Sequence, residues 1–372
     1  CFFSSLNVKL LMSQKYKETP EQNLFDEKMM RRALYLAQRG LGSVSTNPMV
    51  GSVITHNDKI IGEGFHQEYG KLHAEVNAIQ SVKQRELLSD STMYVNLEPC
   101  SHHGKTPPCA DLIIQNSIKR VVIGTTDTYS EVSGRGVEKL KSAGVDVKVG
   151  VLEKECRFLN RRFFTYNEKK RPYIILKWAE TADGFLDKLR TPNSNEKPQW
   201  ITNDESRVLV HRWRTEEDSI LIGSNTALLD NPSLNVRFTF GRNPQRVVLD
   251  QQGNLPHNLN IFNEIQPTIL FTTQPKNYDK INITVEQIDF ETSLQEILSR
   301  LYNHKVQSII VEGGLQVLNS FIKQDLWDEA RRFVGVINFG NGVVAPKIHA
   351  EHNEHIFVGS SLLYLYFNKQ MS

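Results

Sequence analysis

The chain is poor in cysteine, with four in 372 residues. They show no framework spacing and no secretory signal precedes them, so a disulfide-built fold is excluded and a reducing compartment, the cytoplasm, is expected. Charge of one sign is also missing: a formal net charge of +2 leaves no electrostatic footprint for nucleic acid or an acidic membrane. No apolar run approaches the roughly 20 residues that span a bilayer. No internal repeat is visible, and no G-x-G-x-x-G follows a strand, so a Rossmann dinucleotide site is not supported. What remains is the composition of a soluble globular protein, 39% hydrophobic and 23% charged. Its length exceeds one ordinary core, so two domains are expected.

The opening segment, Cys1 to Leu11, is mildly apolar but lacks a basic region and a cleavage site. Met12, followed by a polar stretch, has the look of a start, and residues 1–23 are expected to be extra, disordered or peripheral.

His73-Ala74-Glu75, then Pro99-Cys100, then Cys109, is the most informative pattern. Histidine and cysteine are ligands zinc prefers, and three protein ligands leave a fourth tetrahedral position for water. Zinc lowers the pKa of that water towards neutrality. Glu75 then takes a proton from the water and hands it to a leaving amine. The spacing matches the pattern of zinc nucleobase deaminases. A closed structural zinc site would need a fourth ligand, for which Cys156 and Cys1 are candidates without the short pairing of zinc ribbons. A Cys100–Cys109 disulfide is the other alternative.

The periodicity predicts helices over 25–38, 72–84, 110–116 and 136–143, and strands over 52–55, 59–65, 93–97, 121–124 and 145–149. His73 and Glu75 fall in the first turn of one helix, and Cys100 at the start of another helix or a tight turn. Such helix starts offer free N–H groups and favour thiolate. A charged run, Glu168 to Arg171, marks a boundary between a domain at 24–168 and one at 171–372. In the second, strands are expected at 173–178, 219–223, 246–250, 268–272 and 308–311, with helices at 204–214, 294–303 and 315–323. Alternation of this kind implies sheets flanked by helices, an α/β class. The strand, Gly313-Gly314, helix turn is a place where backbone can approach a phosphate, although glycine serves turn geometry alone in many proteins. Lys177, Arg214 and Arg237 are further anion candidates that nothing local distinguishes from surface cations. Trp200 is read either as a stacking ring for a nicotinamide or as core.

Three stretches go beyond a generic deaminase. The segment Glu98-Pro99-Cys100-Ser101-His102-His103-Gly104-Lys105-Thr106-Pro107-Pro108-Cys109 puts eight residues between the cysteines. Thr46-Asn47-Pro48-Met49-Val50-Gly51 is a loop of its own, and Gln199-Trp200-Ile201-Thr202, Leu229 to Arg237 and Val311-Glu312-Gly313-Gly314 follow downstream. Together, over roughly residues 24 to 372, they resemble the bifunctional riboflavin-biosynthesis deaminase/reductase family. The resemblance implies a cytidine-deaminase-like three-layer domain followed by a dihydrofolate-reductase-like α/β domain, holding Zn2+ and NADPH. The first would deaminate 2,5-diamino-6-ribosylamino-4(3H)-pyrimidinone 5′-phosphate, and the second would reduce the ribosyl group to ribityl. In those terms Asn47, His66 and Lys105 contact the first substrate. Lys177, Arg214, Leu234, Arg237 and Glu312 line the second site, while Ala179, Trp200, Thr226, Asp230 and Gly314 touch NADPH. The partners implied are small pyrimidine ribosyl phosphates, with a homo-oligomer left open. Pro198 stands where the family commonly has Ser, Tyr129 where many members carry Asn, and Gln251 where Ser is frequent. A nucleobase or RNA deaminase with a C-terminal binding module is the rival reading.

Overall fold

The computed structural model describes residues 19–101, 107–128, 134–191, 198–274, 280–290 and 294–368. Contacts divide the chain into two units, the first of residues up to Val44 and Pro48–Asn160, the second of Ser45–Asn47 and Arg161 onward.

In the first unit, Thr19 caps helix α1 (Pro20–Ala37) by accepting the Gln22 N–H at 3.2 Å, with Pro20 in the first turn where its missing N–H costs nothing. Residues 20–23, which the sequence placed in a peripheral segment, are therefore helical. Strands β1 (Gly51–His56) and β2 (Lys59–Phe65) form a hairpin. Its two-residue turn, Asn57-Asp58, takes positive φ at both positions, as a type I′ connection requires. Helix α2 (Ala74–Ser81), β3 (Thr92–Leu97), α3 (Cys109–Gln115), β4 (Arg120–Thr125), α4 (Arg135–Ser142), β5 (Asp146–Val149) and α5 (Glu153–Leu159) follow. The sheet order is β2-β1-β3-β4-β5, antiparallel up to β3 and parallel beyond.

Side-chain alternation along these strands builds three layers. Val53, Tyr94 and Val122 meet Met29, Met30, Ala33 and Leu36 of α1 and Cys156 of α5. Ile54, Met93, Val95, Val121 and Ile123 point the other way, onto α2, α3 and α4. Cys156 thus lies on the face opposite α2 and α3. It is no fourth ligand for their site.

The second unit begins with α6 (Arg161–Lys169), then β6 (Tyr173–Glu180), β7 (Phe185–Asp187), α7 (Asp204–Glu216), β8 (Ser219–Gly223), α8 (Ser224–Asp230), β9 (Gln245–Leu249), β10 (Thr268–Thr272) and β11 (Ile283–Gln287). Helix α9 (Leu294–Asn303), β12 (Ser308–Gly313), α10 (Leu315–Lys323) and β13 (Glu329–Val334) come next, and β14 (Val343–Val344), β15 (Glu354–Val358) and β16 (Ser361–Phe367) close the chain. A nine-stranded sheet runs β11-β10-β9-β8-β12-β6-β13-β16-β15, with β14-β7 a separate pair. The first seven of these strands are parallel and the last two antiparallel. Helices α9 and α10 cover one face, while α7 and α8 pack on the other. Strands buried on both faces read as continuous apolar runs, which is why β8 and β10 fall where expected.

The sequence expected the domain boundary at 168–171, whereas the contacts divide the chain at Asn160/Arg161. Arg162 of α6 pairs with Glu217, and Arg161 bonds Glu329 at 3.2 Å and the Tyr173 hydroxyl at 3.1 Å. These are contacts inside the second unit, so α6 belongs to it, while Glu168, Lys169 and Lys170 of the charged run are exposed at its end.

Candidate functional site

In the first unit the site is built at the carboxyl end of β3. Glu98, just past the strand, is buried, and its carboxylate accepts four backbone N–H groups. Those of Asp127 and Gly134 lie at 3.2 and 3.0 Å, and those of Gly136 and Val137 at 2.9 and 3.2 Å. This clamps the turn that carries Cys100 against the start of α4. Cys100 lies in a loop rather than at a helix start. Its carbonyl accepts the Ala110 N–H at 3.1 Å and its sulfur the Cys109 N–H at 3.3 Å, so α3 begins by closing on Cys100.

His73 is the N-cap of α2, and Cys109 is the first residue of α3. The His73 Nδ1 atom lies 3.3 Å from Cys109 Sγ and 3.6 Å from Cys100 Sγ. Zinc bonds of about 2.1 Å to nitrogen and 2.3 Å to sulfur at tetrahedral angles give a ligand–ligand edge of about 3.6 Å. The donor set fits zinc. Both cysteines are free, so neither is committed to a disulfide. The Cys109 side chain, then His73 and the Cys109 N–H, draw the Cys100 thiol down to about 4 against its burial. His73, facing that sulfur, is raised to about 9 in spite of burial, with Glu75 adding to the rise. A dication among these atoms replaces the protons they would otherwise hold.

Glu75 is buried, and burial first, then the negative Cys100 sulfur, raises its pKa to about 7. A carboxyl poised there accepts and returns a proton at neutral pH. His66 is buried at 5.7 Å between ring centroids from His73, and its Nδ1 donates to the Leu72 carbonyl at 3.0 Å. Burial lowers its pKa, leaving a neutral ring whose Nε2 is an acceptor. Asn47 groups by its contacts with the second unit. Lys105 and Tyr129 lie outside the described residues.

Sequence reasoning missed Glu98 and two buried asparagines. Asn96 accepts the Gly51 N–H at 2.8 Å and donates to the Met49 carbonyl at 3.0 Å. Asn160 accepts the Met49 N–H at 2.8 Å and donates to the same carbonyl at 2.9 Å. The signal available for Asn96 was an amide inside an otherwise apolar strand.

The second unit holds a cleft of about 1060 Å³, lined by all ten residues expected there. Lys177 and Ala179 come from β6, Arg214 from α7, Thr226 and Asp230 from α8, and Glu312 from β12. Trp200, Leu234, Arg237 and Gly314 come from connecting segments, and Pro198 and Gln251 also line the wall. Arg214 Nη2 lies 3.0 Å from Glu312 Oε2, and Lys177 Nζ lies 3.9 Å from Oε1. Burial alone would raise Glu312, but Arg214 and Lys177 outweigh it and hold the carboxyl at about 2. Burial lowers the pKa of Lys177 and Arg237. Three cations against one carboxylate leave the wall around Glu312 positive, which suits an anionic ligand. Trp200 is 62% exposed, so it is not core. Asp230 is engaged by Arg190 at 2.6 Å, and that arginine also bonds Asp187 at 2.8 Å.

The cleft's volume sits at the upper end of the roughly 300–1,000 Å³ of ligand pockets, room for a cofactor beside a substrate. Gly313 has φ of +107°, open only to glycine, and Gly314 caps α10. First-turn N–H groups there lack helical partners and suit a phosphate. These features fit a phosphorylated dinucleotide.

Residues 24–125 match the cytidine and deoxycytidylate deaminase zinc-binding region, and residues 172–351 match the RibD C-terminal domain. The riboflavin biosynthesis protein RibD of Aquifex aeolicus is 41% identical over 323 residues, covering 86% of this chain and 89% of that protein. That of Bacillus amyloliquefaciens is 36% identical, covering 87% of each. Among solved structures, a Thermotoga maritima protein described as a diaminohydroxyphosphoribosylaminopyrimidine deaminase/5-amino-6-(5-phosphoribosylamino)uracil reductase superimposes with a TM-score of 0.84. It is 38% identical, covering 92% of this chain and 98% of that one. Acinetobacter baumannii RibD gives a TM-score of 0.83 at 29% identity, covering 93% and 99%. With a zinc-binding deaminase unit followed by a reductase unit, this chain belongs to the RibD family of bifunctional riboflavin-biosynthesis enzymes.

Proposed function

We propose that the first unit deaminates 2,5-diamino-6-ribosylamino-4(3H)-pyrimidinone 5′-phosphate and that the second reduces the ribosyl group of the product to ribityl with NADPH. The observation that carries the deaminase half is the triangle of His73, Cys100 and Cys109 with the buried carboxyl of Glu75 beside it. His73, Cys100 and Cys109 would hold zinc, which when bound makes water a nucleophile near neutral pH. Glu75 accepts the proton from that water at its carboxylate and delivers it to the departing amine, which leaves as ammonia. His66, held neutral, offers an acceptor to the pyrimidine, and Asn47 and Lys105 are assigned further contacts with it.

In the second unit, Lys177, Arg214 and Arg237 are assigned the substrate phosphate and sugar oxygens, with Leu234 at the wall. Glu312, kept ionised by its two cations, orients the sugar. NADPH supplies the hydride, and Ala179, Trp200, Thr226, Asp230 and the Gly314 turn are assigned its binding. Work on small molecules in the cytoplasm is the setting this reading implies, consistent with thiols left free. A homo-oligomer is supported by the edge strand β15, where Phe357 stands 78% exposed. The test is ammonia release from the diaminopyrimidine phosphate. Turnover should vanish on chelation and return with zinc; ammonia release that survives complete zinc removal would overturn the assignment.

A further inference from the structure

His211 is a residue that the proposed roles leave unused. It sits on α7 one turn before Arg214, lines the same cleft and is 3% exposed. Its Nδ1 accepts the backbone N–H of Arg237 at 3.0 Å, and its ring packs edge-on against Phe238 with centroids 4.6 Å apart. An acceptor Nδ1 carries no proton, so a neutral ring must carry its proton on Nε2. Among the described residues, Nε2–H has no hydrogen-bond partner. A second proton is disfavoured: burial, then the charges of Arg214 and Arg237, depress His211 to about 4, with Lys177 adding to them and outweighing the pull of Glu312.

The ring therefore does two things at once. Nδ1 pins the backbone at Arg237, while Arg214 Nη1 holds the Asn235 carbonyl of the same segment at 3.1 Å. Nε2 is left as a fixed, uncharged donor in the cleft that Lys177, Arg214 and Arg237 also line. That donor is not among the buried, unpartnered side-chain atoms of the described residues, so it opens onto the cleft, where a ligand oxygen can take the place of water.

We propose that His211 is a substrate-contacting residue of the second unit, its Nε2–H donating to an acceptor oxygen of the phosphorylated sugar. This rests on the reading of the cleft as the reductase site.

Two substitutions separate this contact from mere support of the fold. In His211→Asn the amide oxygen can take the place of Nδ1 for the Arg237 N–H, but the donor at Nε2 is gone. In His211→Gln the amide nitrogen restores a donor near Nε2 and the Nδ1 acceptor is lost. Full-length wild type and both variants are compared for the Michaelis constant of the deaminated pyrimidine ribosyl phosphate, that of NADPH, and the melting temperature. The expected result is a substrate KM raised about tenfold or more in the Asn variant. The KM for NADPH should be unchanged, and much of the loss should be recovered in the Gln variant. A wild-type substrate KM in the Asn variant, or a loss in the Gln variant alone, overturns the contact while the reductase reading stands. Absence of NADPH oxidation in the wild type overturns both.

Discussion

Glu75 combines burial with a pKa near 7, so its proton is easily moved at neutral pH while the carboxyl stays out of the metal triangle. Glu75→Gln should keep zinc and lose deaminase turnover by about two to four powers of ten, since the amide cannot accept the proton. Near-normal turnover in that variant would remove Glu75 from the mechanism. Cys100→Ser should instead lose the metal itself, read by elemental analysis. These residues were legible because metal-ligand chemistry is written in residue type and spacing. Glu98 was not, although it clamps the same loop, because its partners are backbone N–H groups that only the folded chain brings together. Asn96 and Asn160 escaped notice for the same reason.

At the scale of elements, α1 is anchored to its sheet by Asp26, wholly buried, which takes two hydrogen bonds from Arg120 at 2.7 and 2.8 Å, one from Tyr94 at 3.0 Å and one from Lys148 at 3.1 Å. Burial alone would raise its pKa, but Arg120 leads the donors that bring it down from 3.8 to about 2. A depressed carboxylate contributes stability that is present above its unfolded pKa and lost as pH falls through the folded one. Denaturation measured between pH 5 and 2 should therefore show on the order of 2 kcal/mol fading across that window. Asp26→Asn should flatten that dependence and cost about 3 kcal/mol at neutral pH, because Arg120 loses its buried carboxylate and keeps the half-exposed one of Asp146 at 3.3 Å. An unchanged acid profile in the variant would contradict this role. The periodicity gave α1 from its apolar stripe, but a buried aspartate inside a helix looks from the sequence like a solvated one. Strand β13 was hidden for a related reason: Glu329 and Arg331 are buried as partners 2.6 Å apart, and three charges in six residues do not read as core. In the turn before α10, the Gly313 φ of +107° demands glycine, so Gly313→Ala should cost at least about 1 kcal/mol and weaken NADPH binding, checked by thermal melts and cofactor titration.

On the scale of the molecule, the two units and their fold classes were readable from strand–helix alternation and from the motifs each carries. The boundary was not. Arg161 and Arg162 on α6 join Glu217, Glu329 and Arg331 in one buried network, with Tyr173 donating to Glu329 at 3.0 Å. A fragment of residues 161–372 should melt well above one of residues 171–372, which leaves the two carboxylates buried with a single arginine. Equal melting temperatures would show that α6 contributes nothing to the second unit.

One chain is proposed to carry both reactions in a fixed chemical order. That order is tested most directly by following ammonia release and NADPH oxidation together on the diaminopyrimidine ribosyl phosphate. Ammonia should be released at the same rate with or without NADPH, and NADPH oxidation should begin only as deaminated product accumulates and end at one equivalent. NADPH oxidation without prior ammonia release, or none after deamination is complete, would contradict it.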